Sequence, residues 1–175
     1  TRELARMIKR EGIMYRELED KDFDTPLGIG SSAGLIFGTS GGVMEAALRT
    51  VREVLENKSF DKLDFKEVRG IEGIKEATYN IAGIDVKVAV ASGLSNARKL
   101  MDKIKSGEAD YHFIEIMSCP GGCVNGGGQP IRTAEERNTM NIPGLRAKAI
   151  YDTDKSAKLR KSHENPVVKE LYENF

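Results

Sequence analysis

The chain has little of what usually declares a function outright. It holds two cysteines, two histidines, a single glutamine (Gln129), no net charge and no long apolar run in 175 residues. Each shortage excludes something. The 27 basic and 27 acidic residues cancel, so no overall field gathers nucleic acid or an anionic membrane. No stretch approaches the roughly 18 apolar residues that span a bilayer. The opening TRELARMIKREG is charged throughout and lacks the pattern of a signal peptide. Two cysteines in such a chain do not make a disulfide scaffold; they predict a reducing compartment and a cytoplasmic location. Repeats and low-complexity tracts are also missing. What remains, 39% hydrophobic and 31% charged residues, is an ordinary soluble globular composition. The length suits a single domain over residues 1–175 with a core of its own. Because ELARMIKREG reads as the last turns of a helix closed at Gly12, the chain is expected to be a piece of a longer protein.

The pattern that is present alternates helix and strand. After an acidic loop, LEDKDFDTP, and the glycine-rich LGIGSSAGLIFGTSGG, a helix is expected from Val43 to Leu55. Its residues Met44, Ala47, Leu48, Val51 and Leu55 share one face at the three-and-four spacing. Asp64–Arg69 and Glu76–Ile81 read as strands, and Ile84–Ala91 (IDVKVAVA) is the clearest one, rich in β-branched residues. Ala82-Gly83 is a candidate hairpin turn. Ser95 is expected to cap a helix with Ala97, Leu100, Met101 and Ile104 on its face, closed by Gly107. Tyr111–Ile116 (YHFIEI) follows as a strand, and a strand–helix–strand unit of this length makes its two strands parallel. Thr133 and Glu136 fit a capping box opening a helix to Asn141. Asn165 and Pro166 open a last helix to Asn174. The fold class is α/β, a parallel or mixed sheet flanked by helices.

Both cysteines lie in MSCPGGCVNGGGQP, Met117–Pro130, directly after the strand YHFIEI. Ligands in open α/β sheets bind beyond the carboxyl ends of strands, which is where this loop falls. Thiolates suit zinc, copper(I) and iron–sulfur clusters. Pro120 presses Cys119 towards extended backbone. Gly121 and Gly122 admit crowded conformations. Gly126–Gly128 extend that freedom and bring backbone N–H groups near a ligand, where they tune cluster potential. With so few side chains to anchor it, Ser118–Gln129 is expected to be mobile. Residue chemistry leaves several readings open: two structural cysteines, a redox dithiol with a spacing one longer than C-x-x-C, or half a zinc site. His112, inside a buried strand, and His163, far along the chain, read as structural residues rather than completing ligands.

A resemblance narrows these readings. EIMSCPGGCVNGGGQP resembles the third cysteine motif of the iron-only (FeFe) hydrogenases. GLIFGTSGGVMEAALRT (Gly34–Thr50) is similar to the family's segment entering a helix beside the active site, and LRKSHENPVVKELYENF (Leu159–Phe175) to its C-terminal tail. The likeness covers essentially the whole chain and implies the C-terminal lobe of the two-lobed H-cluster domain. It implies that Cys119 ligates a 4Fe–4S cubane, and that Cys123, the catalytic ligand, binds the same cubane and bridges it to a di-iron unit. Met117, Phe37 and Gly38 match residues around that unit. The glycine segment Gly38–Gly42 would set a helix N-terminus, favourable to negative charge, beside the cluster. The family's other two cluster cysteines, its second-motif lysine and its proton-passing residues have no counterpart here. The expectation is therefore two of four ligands, with the isolated chain metal-free and inactive. The implied partners are the N-terminal lobe and ferredoxin or NAD(P)-linked redox subunits, with dihydrogen and protons as substrates. Two alternatives are a non-catalytic hydrogenase-like protein of iron–sulfur assembly and a sensory hydrogenase homologue.

Overall fold

The computed structural model of the chain describes residues 1–22, 24 and 28–174. The acidic loop expected at Leu18–Pro26 lies partly outside them. The first helix, α1 (Arg2–Arg10), ends as expected, with Gly12 at φ 68° just beyond it, and α2 (Ser32–Leu35) is a single turn.

A mixed three-stranded sheet in the order β1-β2-β3 organises the molecule. β1 (Ile74–Ile81) and β2 (Ile84–Ser92) form an antiparallel hairpin, and its turn residues Ala82 and Gly83 have φ 52° and 82°. Two left-handed residues give a tight turn whose twist matches that of the strands. From β2 the chain passes through α4 (Leu94–Ser106) to β3 (Phe113–Met117), which is parallel to β2 as the crossover requires. Gly93, at φ 84°, takes the N-cap position of α4 expected for Ser95, and Gly107 closes the helix at φ 80°. His112 falls just before β3 and is exposed, not buried; its Nδ1 accepts from the Lys87 N–H at 3.1 Å.

Alternation along β2 divides the core in two. Val88 and Val90 pack with Met44, Leu48, Phe65, Val68 and Ile81 on one face, and Ala89 and Ala91 pack with Ala97 and Leu100 on the other. The first face is covered by α3 (Gly42–Glu56) and the second by α4. Asp64–Arg69 is not a strand. Lys66–Val68 is a 3-10 turn, and that turn puts both Phe65 and Val68 into the core, three residues apart. The neighbouring polar groups are paired as well, Arg69 with the buried Glu45 and with Asp64, and Glu67 with the Tyr79 hydroxyl.

α3 does not bury the stripe its periodicity suggests. Met44 and Leu48 are buried, but Val51 and Leu55 are 38% and 50% exposed. The stripe Glu45, Arg49, Glu53 is buried instead. It faces a helix the sequence pattern does not announce, α6 (Ile142–Ser156), together with the chain that follows it. Asn141 caps α6 by accepting from Gly144 N–H, with Pro143 in the first turn. Its side-chain pattern is barely amphipathic because it is anchored by a charge, Asp154. The Arg49 guanidinium binds both Asp154 oxygens at 2.9 and 2.8 Å, Glu45 at 2.7 Å and the Arg160 carbonyl at 3.0 Å. Before α6 comes α5 (Ala134–Thr139), with the expected capping box; after it comes α7 (Pro166–Asn174), with Asn165 accepting from Val167 N–H. Among the described residues no helix is long and apolar enough to cross a membrane.

Candidate metal centre

β3 ends at Met117 and the chain enters the cysteine loop at once. Cys119 is half-buried, Cys123 is exposed, and neither forms a disulfide. The two glycines between them are buried, with φ of 80° and 97°. A second glycine segment explains why. A Cβ on Gly122 would stand 2.6 Å from Ser40 N, 2.8 Å from Thr39 C and 3.0 Å from Gly38 O. Only glycine lets these two backbones touch. Ser40 N–H donates to the Gly121 carbonyl at 3.1 Å, and Gly121 N–H donates to Ser92 Oγ at 3.2 Å.

The rest of the loop is braced as well. Val124 is 4% exposed, and Arg146 donates to the carbonyls of Val124 and Pro130, each at 2.8 Å. Gln129 reaches the Cys123 carbonyl at 3.2 Å. These anchors run against the mobile loop expected from glycine content. The expectation for free N–H groups also needs correcting at Gly126, whose N–H closes onto the Cys123 carbonyl at 2.9 Å.

The α3 N-terminus likewise differs from expectation. Two of its N–H groups go to the buried carboxylate of Glu115 on β3 rather than to an anionic ligand. Gly41 N–H donates to Glu115 Oε1 at 2.6 Å and Met44 N–H to Oε2 at 2.8 Å. The helix has no side-chain cap of its own, so the carboxylate serves as one from a distant strand. Beside it lies Lys75, 8% exposed. Burial lowers its pKa to about 8 against the opposing pull of Glu115 and Glu72. Neither residue stands out in the sequence; the available signal is a charged side chain at a core-facing position of an apolar strand.

Gly38, Cys119 and Cys123 are brought together through Gly121–Gly122. Phe37 precedes that contact and is 43% exposed, while Met117 is half-buried, with its carbonyl accepting from Gly93 N–H at 2.8 Å. Among the described residues, one group of three His, Cys, Asp or Glu donors lies close enough to share an ion, and it is Glu53, His163 and Glu164. It includes neither cysteine. Lys161 Nζ already neutralises it, at 2.7 Å from Glu53 and 2.9 Å from Glu164, and His163 spends its nitrogens on Glu53 and Thr50. His163 thus has the structural role expected of it. The loop offers two soft sulfur donors, with no third donor grouped beside them among the described residues, which fits part of a thiolate-held iron–sulfur site. A Cβ on Gly126 would crowd the Cys123 carbonyl oxygen at 3.1 Å and lie in ordinary contact with Cys119 Sγ at 3.9 Å.

Comparison with known proteins identifies the family of the chain. The family described as "Iron only hydrogenase large subunit, C-terminal domain" matches residues 1–127, and "Iron hydrogenase small subunit" matches residues 141–175. Iron hydrogenase 1 of Clostridium pasteurianum is 46% identical over 175 residues, covering all of this chain and 30% of that protein. The NADP-reducing hydrogenase subunit HndD of Solidesulfovibrio fructosivorans is 45% identical over the whole chain and 29% of its own length. The solved structure of the FeFe-hydrogenase HydA1 of Chlamydomonas reinhardtii superposes with a TM-score of 0.71 at 40% identity, over 98% of this chain and 49% of that one. At 30–33% identity the relatives include proteins named for cytosolic iron–sulfur assembly. The chain therefore spans under a third of the curated hydrogenases it matches and about half of the solved one.

Proposed function

The chain belongs to the family formed by the C-terminal domain of the iron-only hydrogenase large subunit, and from that premise we propose that it is one lobe of a catalytic H-cluster domain, supplying Cys119 and Cys123 as two of four cysteine ligands. The observation that carries this reading is the pair of free thiols on a buried diglycine, with no third donor beside them among the described residues. Cys119 would hold the 4Fe–4S cubane, and Cys123 would hold it too and attach the di-iron unit. When bound, this cofactor supplies the reversible conversion of dihydrogen to protons and electrons.

The chain's own residues orient and shield. Gly121 and Gly122, locked against Gly38–Ser40, fix where the two sulfurs emerge from the backbone. Gly38 lets that backbone close without a side chain, and Phe37 and Met117 are the apolar groups that exclude water. The remaining ligands and the proton-passing groups come from the rest of the parent protein. Its docking face on this lobe is the groove of about 450 Å3 between α3 and the sheet, lined by Val51, Leu55, Ile84, Val86 and Phe113. The relatives, of which this chain covers 49% of the solved one and 29% of a curated one, have length to spare for such an occupant. A nicotinamide-linked subunit or ferredoxin is the electron partner, a reading favoured by the name of the NADP-reducing relative.

The second reading, an iron–sulfur assembly protein that carries clusters without hydrogen turnover, has the lower-identity relatives in its favour. Measuring hydrogen-dependent reduction of a viologen dye by the iron-loaded parent separates the two: turnover supports the hydrogenase, and bound iron with no turnover supports the assembly protein. Within the hydrogenase, Cys119→Ala and Cys123→Ala both abolish or nearly abolish turnover but fail differently. Cys123→Ala loses the infrared bands of the di-iron carbonyl and cyanide ligands first, while Cys119→Ala retains part of them. Normal bands and uptake in Cys123→Ala would rule out the bridging role.

A further inference from the structure

Lys75, Val90 and Glu115 stand in one row across the sheet, since Lys75 on β1 pairs with Val90 on β2 and Val90 with Glu115 on β3. Residues paired across neighbouring strands share a face, so a lysine and a glutamate flank a core valine on the side covered by α3. Both charges are buried, at 8% and 6% exposure. Buried charges are costly unless fully bonded. Their hydrogen bonds do not go to each other.

They meet at one peptide group. Lys75 Nζ donates to the Ser40 carbonyl at 3.0 Å, with further bonds to Ser40 Oγ at 3.2 Å and the Gly70 carbonyl at 2.8 Å. Glu115 accepts the N–H of Gly41, the other end of that Ser40–Gly41 peptide, at 2.6 Å. A cation holds the oxygen and an anion holds the N–H, each from a different outer strand of the sheet. The same Ser40 donates its own N–H to Gly121 between the two cysteines, and Ser40 N is the atom nearest the missing Cβ of Gly122.

We propose that Lys75 and Glu115 are positioning residues for the two thiols: they clamp the Ser40–Gly41 peptide at both ends and, through Ser40, fix the diglycine that sets the spacing of Cys119 and Cys123. Polar bonds to both ends of a peptide define its plane, whereas apolar packing against glycine defines little. The pair acts on geometry and touches neither sulfur. The inference rests on the hydrogenase reading only in taking the thiols as a working pair.

The test uses the full-length parent chain prepared without iron and needs no hydrogen. Dibromobimane becomes strongly fluorescent when it bridges two nearby thiols, and monobromobimane counts single alkylations. Any upstream cysteines are replaced by serine. Lys75→Met and Glu115→Gln are expected to lower the ratio of bridging to single alkylation several-fold. Ser40→Ala, which removes only the hydroxyl contact, is expected to lower it less, and it covers the case in which a charge variant fails to fold. Glu53→Gln removes a buried carboxylate elsewhere on α3 and reports general loosening; it is expected to leave the ratio unchanged. A wild-type ratio in the folded Lys75 and Glu115 variants overturns the proposal, as does an equal fall in Glu53→Gln. Failure of the hydrogenase reading would appear as absent turnover in the loaded parent, a result independent of this ratio.

Discussion

Asp154 is fully buried and holds two arginines and a serine at once: Arg49, Arg160 and the Ser32 hydroxyl all donate to it. Burial alone would raise its pKa; these bonds outweigh burial and hold it at about 2. An aspartate depressed below its unfolded value of about 3.9 stabilises the fold above that value, and the contribution disappears as pH falls through the folded pKa. We therefore expect a loss of ~2 kcal/mol between about pH 4 and pH 2, seen in urea unfolding at stepped pH and absent from Asp154→Asn. At neutral pH Asp154→Asn should itself cost about 3–5 kcal/mol, since it removes the carboxylate shared by the buried Arg49 and the partly buried Arg160. A neutral effect would show that this network contributes nothing net. None of this is readable from the sequence, where Asp154 is an unremarkable polar residue in IYDTDKS.

Among the elements, the start of α3 shows how a helix can be fixed from outside itself. Gly41 has φ 91°, and a Cβ there would lie 1.8 Å from the Val68 carbonyl oxygen. Gly41→Ala combines left-handed strain with a backbone clash and should cost several kcal/mol, of order 3 or more. Gly127→Ala, with nothing within 4 Å and no positive φ, should stay within about 0.5 kcal/mol. Chemical denaturation of the pair checks both, and equal effects would mean that the Gly41 contact is not tight. Elements whose signals are local can be read from the sequence: the β2–α4–β3 crossover, the Thr133–Glu136 capping box and the Asn165 cap. Two escape such a reading because their determinants are distant. Lys66–Val68 forms a turn because the core reaches Phe65 and Val68 from α3. α6 has a local cap in Asn141 but no apolar stripe to announce it, because its buried contact is that of Asp154 with Arg49.

At the level of the whole molecule, three core clusters and a buried ion network among the described residues join helices, sheet and C-terminal segment through the chain's own side chains. The chain is therefore expected to fold in the presence of a chelator, unlike a zinc finger. Dispersed amide resonances under those conditions are the expected result, and a random-coil spectrum would make the metal structural. The open apolar groove of α3 and the sheet gives a second expectation. Leu55→Asp, at a half-exposed position, should change the stability of the isolated chain little, yet weaken its association with the remainder of the parent when the two parts are mixed. Unchanged association would place the docking face elsewhere. The cysteine motif, its place after a parallel strand and most helix ends follow from the sequence alone, because they rest on residues a few positions apart competing for the same backbone groups. Which face of α3 is buried, why the loop is braced and what caps the helix beside it are settled by packing. Those outcomes depend on Arg49 meeting Asp154, Gly122 meeting Ser40 and Glu115 meeting Gly41, contacts between residues about 70 to 105 positions apart that no local pattern records.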